Sequence, residues 1–134
     1  MKRKTLIILT VFTLIVTFCL SGCETSTSGF IAGKYITSNN STSASMKFST
    51  FKGNDDFKLK AKGDSTKTIK FTGKLGSGNA TVYCQANGNK QEMFTIKAGE
   101  NIDSSFGEFK DTSIVIIFEA VEKCADGEFT FKLE

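Results

Sequence analysis

From position 46 to the last residue, apolar and polar positions alternate with a period of two almost without a break. Phe57, Leu59 and Ala61 alternate with Lys58, Lys60 and Lys62, and Ile69 and Phe71 with Thr68, Lys70 and Thr72. Val82 and Cys84 alternate with Thr81, Tyr83 and Gln85, and Phe94, Ile96 and Ala98 with Thr95 and Lys97. Phe129, Phe131 and Leu133 alternate with Glu128, Thr130 and Lys132. Successive strand side chains point to opposite faces, so each run predicts a strand with one buried face and one wet face. Ser113 to Ala120 is apolar in both phases (Ile114-Val115-Ile116-Ile117-Phe118), which predicts a central strand covered on both sides. Between the runs fall breakers: Gly53-Asn54-Asp55, Gly63-Asp64-Ser65, Gly76-Ser77-Gly78-Asn79, Asn87-Gly88-Asn89, Gly99-Glu100-Asn101 and Asp126-Gly127. Asn87-Gly88 is the strongest, because both residues tolerate the positive φ of a tight hairpin. The pattern predicts an all-β domain, an antiparallel β-sandwich or jelly-roll-like fold of about seven to eight strands. No stretch carries helical periodicity.

The start of the chain obeys different rules. Lys2, Arg3 and Lys4 precede an apolar run from Thr5 to Leu20. A run of about 15 residues suits the core of a secretory signal and is short for a membrane-spanning helix. The segment closes on Leu20-Ser21-Gly22-Cys23, which resembles the lipobox of bacterial lipoproteins. That resemblance implies cleavage before Cys23, acylation of Cys23, and a place on the extracytoplasmic face of the cell membrane. Each buried CH₂ contributes about 0.8 kcal/mol, and two or more acyl chains give lasting attachment. The predicted organisation is a signal peptide over 1–22, a Ser/Thr-rich tether over 23–45, and a β-sandwich domain over 46–134. Phe30-Ile31 and Tyr35-Ile36 interrupt the tether and predict a short edge strand that closes the domain. The mature chain also looks like small bacterial lipoproteins that follow such a tether with one β-sandwich. Its ending, Ala125-Asp126-Gly127-Glu128-Phe129-Thr130-Phe131, is similar to the Gly-x-Phe-x-Phe close of those domains.

Removing the signal changes the charge. The chain has 17 Lys+Arg against 14 Asp+Glu; three of the basic residues leave with the signal, so the mature chain is neutral. The basic pI therefore carries no expectation of nucleic acid as a partner. The charge is divided along the chain: 23–78 holds nine lysines and four acids, 79–134 five lysines and ten acids. Lys58, Lys60 and Lys62 project from one strand face, and Lys70, with Lys67 and Lys74, extends the row on the next run. Such a row is either an electrostatic patch for an anionic envelope polymer or acidic partner, or a solvated edge whose lysines block edge-to-edge pairing. The sequence has no His and no Trp; without His it lacks the commonest general base and metal ligand. No nucleophile sits in a G-x-S-x-G setting, and no catalytic residue or cofactor is predicted. Asp55, Asp56, Asp64, Asp103 and Asp111 are turn acids able to offer oxygen to Ca²⁺, but they lack EF-hand spacing and no metal site is predicted.

Four cysteines are present. Cys19 leaves with the signal and Cys23 takes the lipid, so Cys84 and Cys124 remain, and an oxidising address predicts a disulfide between them. Closing a loop of about 40 residues contributes roughly 3–4 kcal/mol in the chain-entropy description. A redox or metal-binding pair is the alternative, without a C-x-x-C to support it. The expected function is a non-catalytic binding module, held to the membrane through Cys23 and directed at an envelope protein or polymer. The alternative is an inhibitor or immunity-type lipoprotein that blocks a secreted enzyme or toxin.

Overall fold

The computed structural model describes residues 29–134; the signal, the lipobox and Cys23 lie outside the described residues. Eight antiparallel strands form one continuous hydrogen-bonded sheet, folded over on itself into a jelly-roll-like sandwich. They are β1 (Phe30–Gly33), β2 (Ile36–Asn39), β3 (Ser43–Ala61), β4 (Lys67–Ser77), β5 (Asn79–Ala86), β6 (Asn89–Lys97), β7 (Asn101–Phe109) and β8 (Thr112–Leu133). Two long strands organise the rest. β3 has 19 residues and β8 has 22, and they pair from Ser43↔Lys132 to Ala61↔Thr112.

Midway, both strands bend. The register shifts between Phe51 and Gly53, with Phe51 opposite Cys124 and Gly53 opposite Ala120. Val121, Glu122 and Lys123 of β8 thus face the single residue Lys52, and Gly53 adopts φ 118°. Extra residues on one strand kink it and increase its twist. The bend divides the sheet into two layers. The first holds β2, the start of β3, the end of β8, β4 and β7. The second holds the end of β3, the start of β8, β5 and β6. β1 pairs with Thr50–Gly53 and so runs across the corner. Both open edges are stitched: Lys60 N–H donates to Ser41 O at 2.7 Å, and Gly99 N–H to Leu75 O at 2.7 Å.

Between the layers the alternating apolar positions meet. Phe71 of the first layer stacks on Phe94 of the second, with centroids 4.7 Å apart. Phe118 packs against Phe51 and Phe129 at 5.2 and 4.9 Å. Gly73 leaves room for the Phe129 ring, and Gly127 for that of Phe48. Among the described residues, no buried side chain is polar or charged.

The predicted sandwich is what forms, with three corrections. Gly53-Asn54-Asp55 and Asp126-Gly127 do not end strands but lie inside β3 and β8. Hydrogen bonding to flanking strands carries the ladder through them, so they bend the sheet where a breaker without neighbours ends it. The domain begins at Phe30 and not at 46, because β1 and β2 pair with β3; the predicted edge strand thus takes up most of the predicted tether. Finally, Ser113 to Ala120 is covered on one side only. Ile114, Ile116, Phe118 and Ala120 point into the core, whereas Val115 and Ile117 stand half-buried on the outer face.

Candidate functional site

That one-sided strand centres the most distinctive surface. On the outer face of the second layer, register sets side chains in three rows. Lys58, Val115, Gln85 and Lys90 form one row, and Asp56, Ile117, Tyr83 and Glu92 the next. Asn54, Glu119, Thr81 and Thr95 form the third. Val115, Ile117 and the Tyr83 ring make an apolar strip across neighbouring strands, bordered by charges of both signs. Lys90 Nζ lies 4.3 Å from the centre of the Tyr83 ring, a contact that holds a cation beside the strip. Desolvation, then the nearby Glu119 and Glu92 carboxylates, raise the Tyr83 hydroxyl above the ordinary tyrosine value, so the phenol stays neutral and able to donate. Thr95 Oγ1 donates to Glu92 at 2.7 Å and lies 3.2 Å from Thr81 Oγ1. The face is open, and a shallow depression of about 510 Å³ adjoins it between Ser41, Lys58, Lys60 and Ser113.

The lysine row divides. Lys58 is exposed opposite Val115, Lys60 is half-buried opposite Ser113, and Lys62 is exposed just beyond the end of β3. Lys70 does not extend the row, contrary to the expectation. It lies on β4, in the other layer, opposite Lys132, and pairs with Glu134 at 3.0 Å. Sequence order puts it on the strand after β3, but β4 pairs with β7 and β8 and not with β3. Lys74 likewise meets Glu128, at 3.4 Å.

Cys84 and Cys124 are both buried free thiols, and the predicted disulfide is absent. Register gives the reason. The β5 strand approaches Cys124 at its start, where Gly78 packs against the Cys124 backbone. Cys84 lies five positions beyond Asn79, the first residue of β5, which is about 17 Å further along the strand. A bridge needs Cα atoms within about 7 Å. Burial pushes both thiols up to about 11. Cys124 Sγ donates to the Phe51 carbonyl at 3.3 Å.

The turn acids do not converge. Asp55 accepts a hydrogen bond from the Tyr35 hydroxyl, which burial and then that carboxylate hold far above the ordinary tyrosine range. Asp56 faces Ile117, Asp103 faces Thr72, and Asp111 occupies the turn before β8 with φ 45°. Among the described residues, no three Cys, Asp or Glu side chains are grouped to hold a metal ion. The Tyr83–Ile117–Val115 strip is the feature that sequence reasoning misses. Its signal is the two-phase apolar run, which reads equally well as burial on both faces.

No protein-family model matches the chain, and no curated protein sequence matches it. Solved structures show distant likeness. A CBM4 domain has a TM-score of 0.44 at 14% identity, over 83% of this chain and 82% of that one. A mutant of CBM29-2, a family 29 carbohydrate binding module, has a TM-score of 0.43 at 14% identity, over 80% and 83% of the two chains. The Drosophila melanogaster CENP-C cupin domain has a TM-score of 0.33 at 13% identity, over 78% and 80%. At this distance none of these carries a ligand or an activity across.

Proposed function

We propose that this chain is a non-catalytic binding module, lipid-anchored through Cys23 on the extracytoplasmic face of the cell membrane. Its outer sheet face grips an extended, hydroxyl-rich polymer of the cell envelope. The observation that carries the binding reading is the strip of Val115, Ile117 and Tyr83, bordered by Lys58, Lys90, Gln85, Glu92 and Glu119. An apolar strip suits the C–H faces of sugar rings, and amides and charges of both signs at its border suit their hydroxyls. The open face admits a chain that runs past both ends of the domain. The anchor is supported by the sequence alone, through the basic start, the short apolar run and Leu20-Ser21-Gly22-Cys23.

The test is binding of the full chain to deproteinated wall glycan and, separately, to intact walls. Tyr83→Ala and Ile117→Asp are expected to weaken saturable binding to the bare glycan about ten-fold or more, the loss of a central stacked contact being worth over 1 kcal/mol. Thr72→Ala, on the opposite layer, leaves it unchanged. Binding that needs wall proteins, or that ignores both substitutions, overturns the polymer reading.

A further inference from the structure

We infer that the corner formed by β1 and the bend of β8 is a membrane-docking surface that rests on anionic lipid headgroups. The inference rests on the acylation of Cys23 proposed above and adds how the domain is oriented on the bilayer. Four large apolar side chains are exposed among the described residues: Ile31 at 80%, Val121 at 76%, Ile36 at 68% and Phe30 at 42%. Three of them meet at one corner. Ile31 lies opposite Lys52, Phe30 opposite Gly53, and Lys52 is the single β3 residue that faces the Val121–Lys123 segment of β8. Ile36, opposite Lys47, lies five positions along the same edge, about 17 Å away, and stands outside the corner. Isolated exposed apolar residues need no explanation, but three gathered at one corner do.

Charge and reach select the occupant. Lys34, Lys52 and Lys123 border the apolar tips, against Glu122 and against Asp55, which accepts the Tyr35 hydroxyl. Apolar tips within a lysine border suit the interface of an anionic membrane, into which such side chains enter by about 5–10 Å. From Cys23 to Phe30 the chain makes seven peptide steps, a reach of at most about 25 Å. A lipid on Cys23 therefore holds this corner, the first part of the folded domain, next to the bilayer. Phe30 is fixed to the core, its ring 5.2 Å from Phe51 and 4.8 Å from Tyr35, so the corner meets the membrane as a rigid edge.

The absence of tryptophan from the chain makes a site-specific test possible. Full chains bearing Ile31→Trp, Val121→Trp or Val115→Trp are produced in a lipoprotein-processing bacterium. They are then reconstituted into phosphatidylglycerol–phosphatidylcholine vesicles with brominated acyl chains. Intact mass reports acylation of Cys23, and circular dichroism reports the fold. The expected result is blue-shifted emission at positions 31 and 121, with quenching by brominated lipid about three-fold or more above that at 115, as interfacial burial of 5–10 Å requires. Lys34→Glu, Lys52→Glu and Lys123→Glu together are expected to abolish the difference. An acylated, folded chain whose indole at position 31 stays in water overturns the docking alone. A chain without acyl on Cys23 overturns the anchor and the docking with it. A blue shift that needs no vesicles and grows with protein concentration assigns the corner to a second copy of the chain and also overturns the proposal.

Discussion

At pH 8, a thiol with the ordinary value of 9.0 is about one-tenth thiolate, the reactive form. Raised to about 11, as at Cys84 and Cys124, the thiolate fraction falls about 100-fold, since each pKa unit is a factor of ten. Burial adds the cost of opening the core before a reagent can arrive. Timed alkylation with iodoacetamide, resolved by peptide mass, is therefore expected to run more than about 100-fold slower in the native chain than in urea. Cys84 should react first, because it lines a depression of about 220 Å³ at the end of the β5–β6 hairpin, whereas Cys124 is wholly enclosed. The same shift acts on stability. A folded-state pKa above the unfolded one contributes stability that is fully present below pH 9.0 and is lost as pH rises through about 11. Between those values each thiol costs up to about 1.4 kcal/mol per pH unit. Denaturant midpoints should fall over that window more steeply than in a Cys84→Ala, Cys124→Ala double variant, which shares every lysine with the parent. The reasoning is refuted if the native chain is lighter by two hydrogens with a bridged Cys84–Cys124 peptide. Native labelling at the unfolded rate would refute it as well.

Gly73→Ala is expected to destabilise the domain by about 1–3 kcal/mol, the usual cost of overpacking. Its Cβ would stand 2.7 Å from Phe129 Cε1 and 3.2 Å from Ile102 Cγ2, and an unchanged urea midpoint would contradict that packing. Tyr35→Phe keeps the ring on Phe30 and Phe51 but takes the donor from Asp55, and a thermal melt should show a loss of about 1–2 kcal/mol. Inserting twelve Gly/Ser residues between Ser28 and Gly29 of the Ile31→Trp chain should leave quenching by brominated lipid unchanged, because docking by affinity does not need a short tether. Release of that indole by the insertion alone would show that proximity, not the corner, holds it at the bilayer.

Much of the fold is legible in the alternation because burial on a strand has a period of two, and the inward residues of β4, β5 and the end of β8 are those the pattern marks. The misreadings share one cause, which is that pairing is non-local. Whether Gly53 or Gly127 ends a strand depends on the neighbours that carry the ladder past it, and those lie tens of residues away. Whether Val115 and Ile117 are covered depends on whether a third layer exists, which their own run cannot reveal. An oxidising address pairs Cys84 with Cys124 by elimination, but the fold sets them in different parts of the core. Lys70 falls outside the lysine row because the strand next in sequence to β3 is not its neighbour in space.

The divided charge acquires its meaning from the same topology. Lysine-rich β3 and β4 both pair with acid-rich β8 in the first layer, where Lys74 meets Glu128 and Lys70 meets Glu134. Exposed pairs of this kind contribute about 0–1 kcal/mol each, so their main effect is to cancel field and leave that outer face electrically quiet. Among the lysines outside this pairing, two groups stand apart. Lys34 and Lys52 stand at the corner among the exposed apolar tips, and Lys58, Lys60 and Lys62 stand at the far end of β3 beside the Val115 strip. Three to five strand positions, about 10–17 Å at 3.3–3.4 Å each, separate Gly53 at the corner from Asp56 and Lys58, the β3 neighbours of Ile117 and Val115 on the strip. A domain set down on its corner would therefore lift the strip clear of the headgroups. The bend in β3 and β8 would then do two things at once: it closes the core and keeps the binding face away from the membrane.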